Sequence, residues 1–415
     1  MSSISSMNQV TNISNFRSTN FLREHIESIL SFYYPQCIDH QHGGYFQQFD
    51  NQGKVCTDNS PRHLVSSSRL TVNFAVAAKL FNNNDYLKAA LHGVNYLKSH
   101  HFNEKTGGYV WLVENSRIND EGNYGKNVID ADNYCYGIAF VLMAFARTYQ
   151  AGAEEVYDDI KNTFDLMEKY FWREDDQLYV DVIDENFKNT TPYRGQNANM
   201  HCCEAMICAY EATGEQHYLD RALVVAHRIT VELAKQCNGM IWEHYDENWQ
   251  VDFDYNAGDT ENKLRPWGYQ PGHFTEWTKL LLLIHKYSEK PWLVLRAKVL
   301  FDKAMEVAFD RENGGIHYGF APNGDICSAG KYSWVQAETI VAAAMLAKTL
   351  NSGIYECIYQ QLWQYSWTYM IDHNLKCWHR NLTHDNKVFI QSSVAMGRTD
   401  YHAICACAEI ISTIS

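Results

Sequence analysis

Residues 270–281 read QPGHFTEWTKLL. Proline and glycine precede His273, and Glu276 follows three residues later. A helix starting here carries the imidazole and the carboxylate on one face. Such a pair can move protons, hold half of a metal site, or simply cap the helix. Taken alone, a histidine near a helix start is ordinarily a cap or a packing residue. Here, however, polar residues recur at the starts of other apolar helical stretches: Arg69, Asp132 with Tyr134, Asn197 with His201, Trp334 with Glu338, and Tyr401 with His402. Capping prefers Ser, Thr, Asp and Asn. Histidines, glutamates and an arginine at equivalent helix starts therefore point to a functional cluster.

Three chemistries fit that cluster. His201, His273 and His402 could ligate zinc beside Glu276, although no HExxH or other rigid ligand pair is present. Glu276 and Glu338 could flank a glycosidic bond, but histidines outnumber the free carboxylates. Proton transfer at a carbon next to a carbonyl needs bases that titrate near neutrality and donors for the developing enediolate oxygens. Two neutral histidines and Arg69 meet that need without a metal, and Trp267, Tyr269 and Trp334 could pack against sugar C–H faces.

A regular scaffold must bring these residues together. One pattern, a turn residue, a short aromatic strand and an Asp/Asn-rich turn, recurs six times, for example in HGGYFQQFDNQGKV (42–55), DQLYVDVIDENFKN (176–189) and NGGIHYGFAPNGDI (313–326). These read as β-hairpins. With Gly44, Gly108, Leu178, Met240, Gly315 and Leu375 as equivalent points, the steps are 64, 70, 62, 75 and 60 residues, a period of repeated supersecondary units. Each hairpin is followed by a helical stretch that is apolar nearly all round, such as GHFTEWTKLLLLIHKY, with an almost wholly apolar distal half. Each is preceded by an amphipathic stretch, such as QHYLDRALVVAHRITVELAK. Six inner and six outer helices in alternation predict an all-α fold, a closed (α/α)6 toroid with hairpins in its loops. No linker divides it, so residues 16–415 are expected to form a single catalytic domain behind a flexible segment 1–15. Parallel inner helices would gather their polar starts, and the positive ends of their dipoles, at one mouth.

Composition excludes other classes. The 415 residues carry 35 Lys plus Arg against 49 Asp plus Glu, a formal net charge of −14, and no basic run stands out. A nucleic-acid or anionic-membrane partner has no electrostatic support. The apolar runs are too short to span a bilayer, and the polar N-terminus lacks the apolar core of a signal peptide. The twelve cysteines form no CxxC pairs and read as reduced core thiols of a cytoplasmic protein.

Three blocks, RGQNANMHCCEAMICAYEATGE (194–215), LRPWGYQPGHFTEWTKLLLLIH (264–285) and TDYHAICA (399–406), resemble the N-acylglucosamine 2-epimerase superfamily, most closely its aldose–ketose isomerase branch. The likeness runs from about residue 40 to residue 410. It implies an (α/α)6 barrel, no cofactor and no metal, and a monosaccharide partner. It also implies isomerisation of D-mannose and D-fructose, or of D-lyxose and D-xylulose, through a cis-enediolate. A sugar 2-epimerase or a sulfoquinovose isomerase is the alternative. The resemblance makes His273 and His402 catalytic, with His402 at carbon and His273, steadied by Glu276, at the ring and its oxygens. It places Arg69, Tyr134, Asn197, His201, Trp334 and Glu338 around the sugar. A family arginine ten residues before the PGH histidine is Lys263 here, with Arg265 two residues on. A lysine point charge does not replace an arginine fork, which weakens the case for an anionic sulfosugar. Asp400, directly before Tyr401, receives no role. The small residues of SSSR before Arg69 also lean towards the isomerase branch.

Overall fold

The computed structural model describes residues 15–56, 61–117, 124–262, 264–389 and 397–414; residues 1–14 and Lys263 lie outside them. The described residues form twelve α-helices: α1 (Thr19–Tyr33), α2 (Leu64–Phe81), α3 (Asn84–Tyr96), α4 (Cys135–Gln150), α5 (Tyr157–Tyr170), α6 (Gln196–Thr213), α7 (Gln216–His227), α8 (Pro271–Tyr287), α9 (Pro291–Ala308), α10 (Ser333–Thr349), α11 (Gly353–Tyr365) and α12 (Tyr401–Ile414). The even-numbered helices are the apolar stretches. They pack in sequence from α2 to α12, and α12 returns to α2, closing an inner ring. Each odd-numbered helix lies outside its partner, α3 on α2 through α11 on α10, and α1 covers α12. This is the (α/α)6 barrel that the alternation of helix types predicts.

The two rings differ because their sequences differ. In α5 the buried residues Ile160, Thr163, Phe164 and Met167 form one stripe at i, i+3, i+4 and i+7, the pattern of a helix with one wet face. In α10 every residue from 335 to 347 is buried, because outer helices cover one side and lumen side chains fill the other.

Short antiparallel pairings fix where the inner helices begin. The strand just before an inner helix pairs with the hairpin of the next unit: Arg62 with Val113, Tyr134 with Val182, Arg194 with Tyr245, Tyr269 with Phe320, and Lys331 with Leu382. The ring is completed where Arg398 donates its backbone N–H to the Gln47 carbonyl, 3.0 Å. All six inner helices therefore start at the same end of the barrel.

Three features differ from the sequence reading. The predicted helix QHYLDRALVVAHRITVELAK leaves α-geometry after His227, passing into a π turn (Arg228–Glu232) and a 3-10 turn; α3 and α11 end in π turns likewise. One of the predicted hairpin units, that of Gly108, carries a longer pairing than the others, residues 112–117 with 124–130. The inner helices are also not wholly apolar beyond their starts. Lys279 is buried in mid-α8, and Arg147 in the last turn of α4 pairs with Glu211 at 2.7 Å and Glu409 at 3.5 Å. No helix among the described residues is long and apolar enough to cross a membrane.

Candidate active site

Three histidines at the mouth are each backed at Nδ1 by a different glutamate. His201, in the second turn of α6, faces Glu204 Oε2 at 2.9 Å. His402, the second residue of α12, faces Glu338 Oε1 at 2.7 Å. His273, the third residue of α8, faces both carboxylate oxygens of Glu243 at 2.9 and 3.0 Å. No other hydrogen bond engages the Nε2 atoms of these rings among the described residues. A carboxylate accepts but cannot donate, so each pairing suits an Nδ1–H tautomer with the Nε2 lone pair available for chemistry.

Local sequence explains how His273 is presented. Pro271 fills the first turn of α8, where a missing N–H costs nothing. A Cβ on Gly272 would lie 2.5 Å from the Trp334 ring, so only glycine lets the helix start meet that indole. Trp334 then stands between two of the histidines, 5.0 Å from the His273 ring and 5.9 Å from the His402 ring. Behind His273, Gln196 has a fixed orientation. Its Oε1 accepts from Trp277 Nε1 at 2.8 Å, and its Nε2 donates to Glu243 Oε2 at 2.9 Å.

Below His201 and His402 lies a buried charge cluster. Lys279 Nζ is 3.0 Å from Glu204 Oε1, 2.8 Å from Glu338 Oε2 and 3.8 Å from Glu276 Oε1. Burial alone would raise Glu338. The Lys279 ammonium and the His402 hydrogen bond outweigh it and hold Glu338 below the usual carboxylate range. Glu204 is lowered by the same balance, with Lys279 and His201 as its partners. Burial would lower Lys279, but the three carboxylates hold it well above the ordinary lysine value. Glu276 goes the other way: burial first, then the Glu338 charge, raise it well above the usual range, which favours its uncharged form. Burial lowers His201 to about 4 and also lowers His402 below 6.5. Both are neutral bases at pH 7.

Arg69, in the second turn of α2, donates from Nη2 to Tyr136 Oη at 3.0 Å, and its guanidinium lies 4.5 Å from the Phe140 ring and 5.2 Å from the Tyr401 ring. Tyr136 meets His201 edge-on at 5.0 Å. Arg69 Nε, Asn197 Oδ1 and Glu276 Oε1 are buried polar atoms without a hydrogen-bond partner. Buried polar atoms of this kind can be completed by water or by a ligand.

The structure brings His201, His273, His402, Arg69, Glu338 and Trp334 together at one mouth, and corrects one pairing. Glu276 does not steady His273; Glu243 does, while Glu276 projects towards Lys279 and Glu338. Tyr134 precedes α4, stacks on Trp111 at 4.2 Å and donates to Asp130 Oδ2 at 3.0 Å. Arg265 is engaged with aromatics, donating to Tyr255 Oη at 2.9 Å and lying 3.7 Å over the Tyr193 ring. Lys263 lies outside the described residues. Asp400, left without a role, accepts from Tyr33 Oη at 2.5 Å and pairs with Arg398 at 3.4 Å. Sequence reading missed Glu243, Glu204, Lys279, Gln196 and Tyr136. For Glu204 and Lys279 a signal existed: a charged residue inside an otherwise apolar, buried helix must be paired.

Two groups could approach a metal, His201–Glu204–Glu276 and Glu276–Glu338–His402, each with ligand atoms within 4.8 Å of one another. Lys279 Nζ already lies among these carboxylates and would repel a divalent cation. Neither group is the three-histidine set weighed from the sequence.

The mouth of this (α/α)6 barrel thus carries a glutamate-backed histidine on each of three inner helices. The N-acylglucosamine 2-epimerase (GlcNAc 2-epimerase) family matches residues 44–406, and the chain belongs to it. A D-mannose isomerase of Marinomonas mediterranea is 44% identical over 401 residues, 96% of this chain and 98% of the relative. One from Thermobifida fusca is 32% identical over 258 residues, 61% of this chain and 63% of that protein. A crystal structure of D-mannose isomerase matches with a TM-score of 0.91 at 44% identity, covering 96% of this chain and 99% of that one. Cellobiose 2-epimerase from Bacillus thermoamylovorans shares the fold, with a TM-score of 0.80 at 19% identity over 95% of this chain and 98% of that one.

Proposed function

We propose that this protein is an aldose–ketose isomerase that interconverts D-mannose and D-fructose, with D-lyxose and D-xylulose as a related pair, using its own side chains and no cofactor. The observation that carries the reading is the convergence of three imidazoles, each anchored at Nδ1 by a glutamate, on one mouth that also holds unpartnered polar atoms. The 44% identity to a D-mannose isomerase along nearly the whole chain supports the substrate class. The unit that acts is taken as residues 16–415, and a cytoplasmic setting is supported by cysteines that form no disulfide among the described residues.

In this reading His273, held by Glu243, exchanges a proton with the ring and anomeric oxygens and opens the pyranose. His402 Nε2 then removes the C2 proton, and the bonding electrons move onto O1, giving a cis-enediolate. The proton on O2 passes across to O1 of the cis-enediolate, with Glu276 hydrogen-bonded to these oxygens. His402 returns its proton to C1, C2 becomes the ketone, and the base is regenerated. Arg69, Asn197 and His201 bind hydroxyl groups, and Trp334 packs against a C–H face. Positioned proton transfer of this kind contributes typically 10²–10⁴-fold. The Lys279 ammonium supplies positive charge that other isomerases take from a metal, so dialysis against EDTA is expected to leave turnover unchanged. An anionic sulfosugar is disfavoured because Arg265 is already bonded to Tyr255 and stacked on Tyr193.

The test is incubation with D-mannose followed by NMR of the product. D-Fructose is expected. Epimer without ketose would replace this reading with a 2-epimerase, which shares C2 deprotonation and differs in where the proton returns. No conversion of mannose, lyxose or a related aldose would refute both.

A further inference from the structure

Lys279 has no hydrogen bond or ion pair with the three imidazoles, yet among the described residues it is the one group joined to two of the carboxylates behind them. From His201 Nδ1 the path runs to Glu204 Oε2, from Glu204 Oε1 to Lys279 Nζ, from Nζ to Glu338 Oε2, and from Glu338 Oε1 to His402 Nδ1. The contacts are 2.9, 3.0, 2.8 and 2.7 Å. Each glutamate thus gives one oxygen to a histidine and the other to the same ammonium. His273 stands apart, because its glutamate, Glu243, comes from a hairpin and is bonded to Gln196. Lys279 is 3% exposed, and a lysine so buried is retained only where it is paired.

We propose that Lys279 is a positioning residue that fixes the tautomers of His201 and His402 together. With the ammonium present, Glu204 and Glu338 are ionised. Each then accepts from Nδ1–H, and Nε2 of both rings stays unprotonated. Without it, three carboxyl groups crowd one buried site with no cation at ion-pair distance among the described residues, and like charges that close do not all ionise. Glu338 then takes a proton. As an acid it donates O–H to His402 Nδ1, the ring proton moves to Nε2, and the base that faces the sugar is lost. No atom of the substrate has to meet Lys279 for this to happen.

The groups facing this cluster come from every inner helix around it. Arg69 projects from α2, Tyr136 and Arg147 from α4, Glu204 and His201 from α6, Glu276 from α8, Glu338 from α10, and Tyr401, His402, Cys405 and Glu409 from α12. Arg69 and Arg147 are the other cations among them; Arg69 Nη2 is held by Tyr136, and Arg147 is paired with Glu211 and Glu409. Lys279 therefore stays the cation in contact with both glutamates.

The consequence for catalysis rests on the reading of His402 as the carbon base, but the tautomer itself does not. The test is ¹⁵N–¹H NMR of the histidine side chains in the wild-type chain and in K279M and K279R. Wild type and K279R should show Nδ1–H at both His201 and His402. K279M should show Nε2–H at His402, with His273 unchanged as an internal control. If K279M does not fold, K279Q removes the charge while keeping a hydrogen-bond donor, and the same shift is expected. In turnover, K279M should lose about 10²-fold or more in kcat, since it removes a general base, with KM altered much less. Its activity should recover as pH rises and Glu338 ionises, moving the acid limb upward, and K279R should keep the limb near wild type. Nδ1–H at His402 in both K279M and K279Q would overturn the proposal whether or not the protein isomerises mannose. Failure of mannose conversion with the tautomer shift intact would instead fault only the isomerase reading.

Discussion

The mouth holds two kinds of histidine support. His273 has a carboxylate of its own, drawn from a hairpin and locked by a glutamine that a tryptophan orients. His201 and His402 share theirs through one buried ammonium. A private partner lets one ring move a proton on and off oxygens without disturbing its neighbours. A shared cation ties two rings to one electrostatic condition, so a change at either glutamate is felt at both. In the proposed reaction the private arm opens the sugar, and the shared arm moves the carbon-bound proton.

The comparison is broken most severely by removing the rings. Replacing His402 or His273 by asparagine is expected to lower kcat by about 10³-fold in steady-state assays, within the 10²–10⁴-fold range of positioned proton transfer. Next come the glutamates, which sharpen it. E338Q should cost about 10²-fold in kcat, because an amide can hold His402 in the wrong tautomer. E276Q should cost less than about 10-fold, because burial and the Glu338 charge already favour the uncharged form of Glu276 and glutamine keeps a donor there. Equal losses in the two variants would contradict the protonation states assigned to the cluster.

A smaller effect separates mouth from scaffold. Gly272→Ala places a Cβ 2.5 Å from the Trp334 ring, an overpacking expected to cost about 1–3 kcal/mol, read as a lower unfolding midpoint in denaturant.

Acid should also weaken the fold. Burial lowers His25, His101 and His201 to about 4 and His63 to about 3, from a usual 6.5. The unfolded chain then binds more protons than the folded one between those values, so stability is full above about pH 6.5 and falls as pH drops towards 4. Each unit of depression corresponds to about 1.4 kcal/mol. Thermal melts across pH 4–8 would show a falling midpoint on the acid side, and a flat profile would contradict the buried-neutral assignment.

The repeat and the mouth were legible in the sequence because both are periodic. Six hairpins at a near-constant step set the unit, and polar residues at the starts of apolar helices marked one end of the ring. The partners were less legible. Glu243 sits in a hairpin whose alternation resembles the other five, and nothing in NGMIWEHYDEN separates a carboxylate aimed at His273 from one facing water. Glu276, at His273 plus three, shares a helix face with it by spacing alone. Side-chain direction and the pull of Lys279, one turn further along, send the carboxyl elsewhere. Lys279 and Glu204 were readable in principle, as charges stranded in apolar helices, but which charge meets which depends on how α6, α8 and α10 are phased around the ring.

The central claim is that His402 Nε2 carries the hydrogen between C2 and C1, and isomerisation in D2O tests it most directly. The wild-type chain should form fructose from mannose with some solvent deuterium at C1, and His402→Asn should abolish both conversion and exchange while remaining folded. Undiminished deuterium incorporation in the His402→Asn protein would contradict the account.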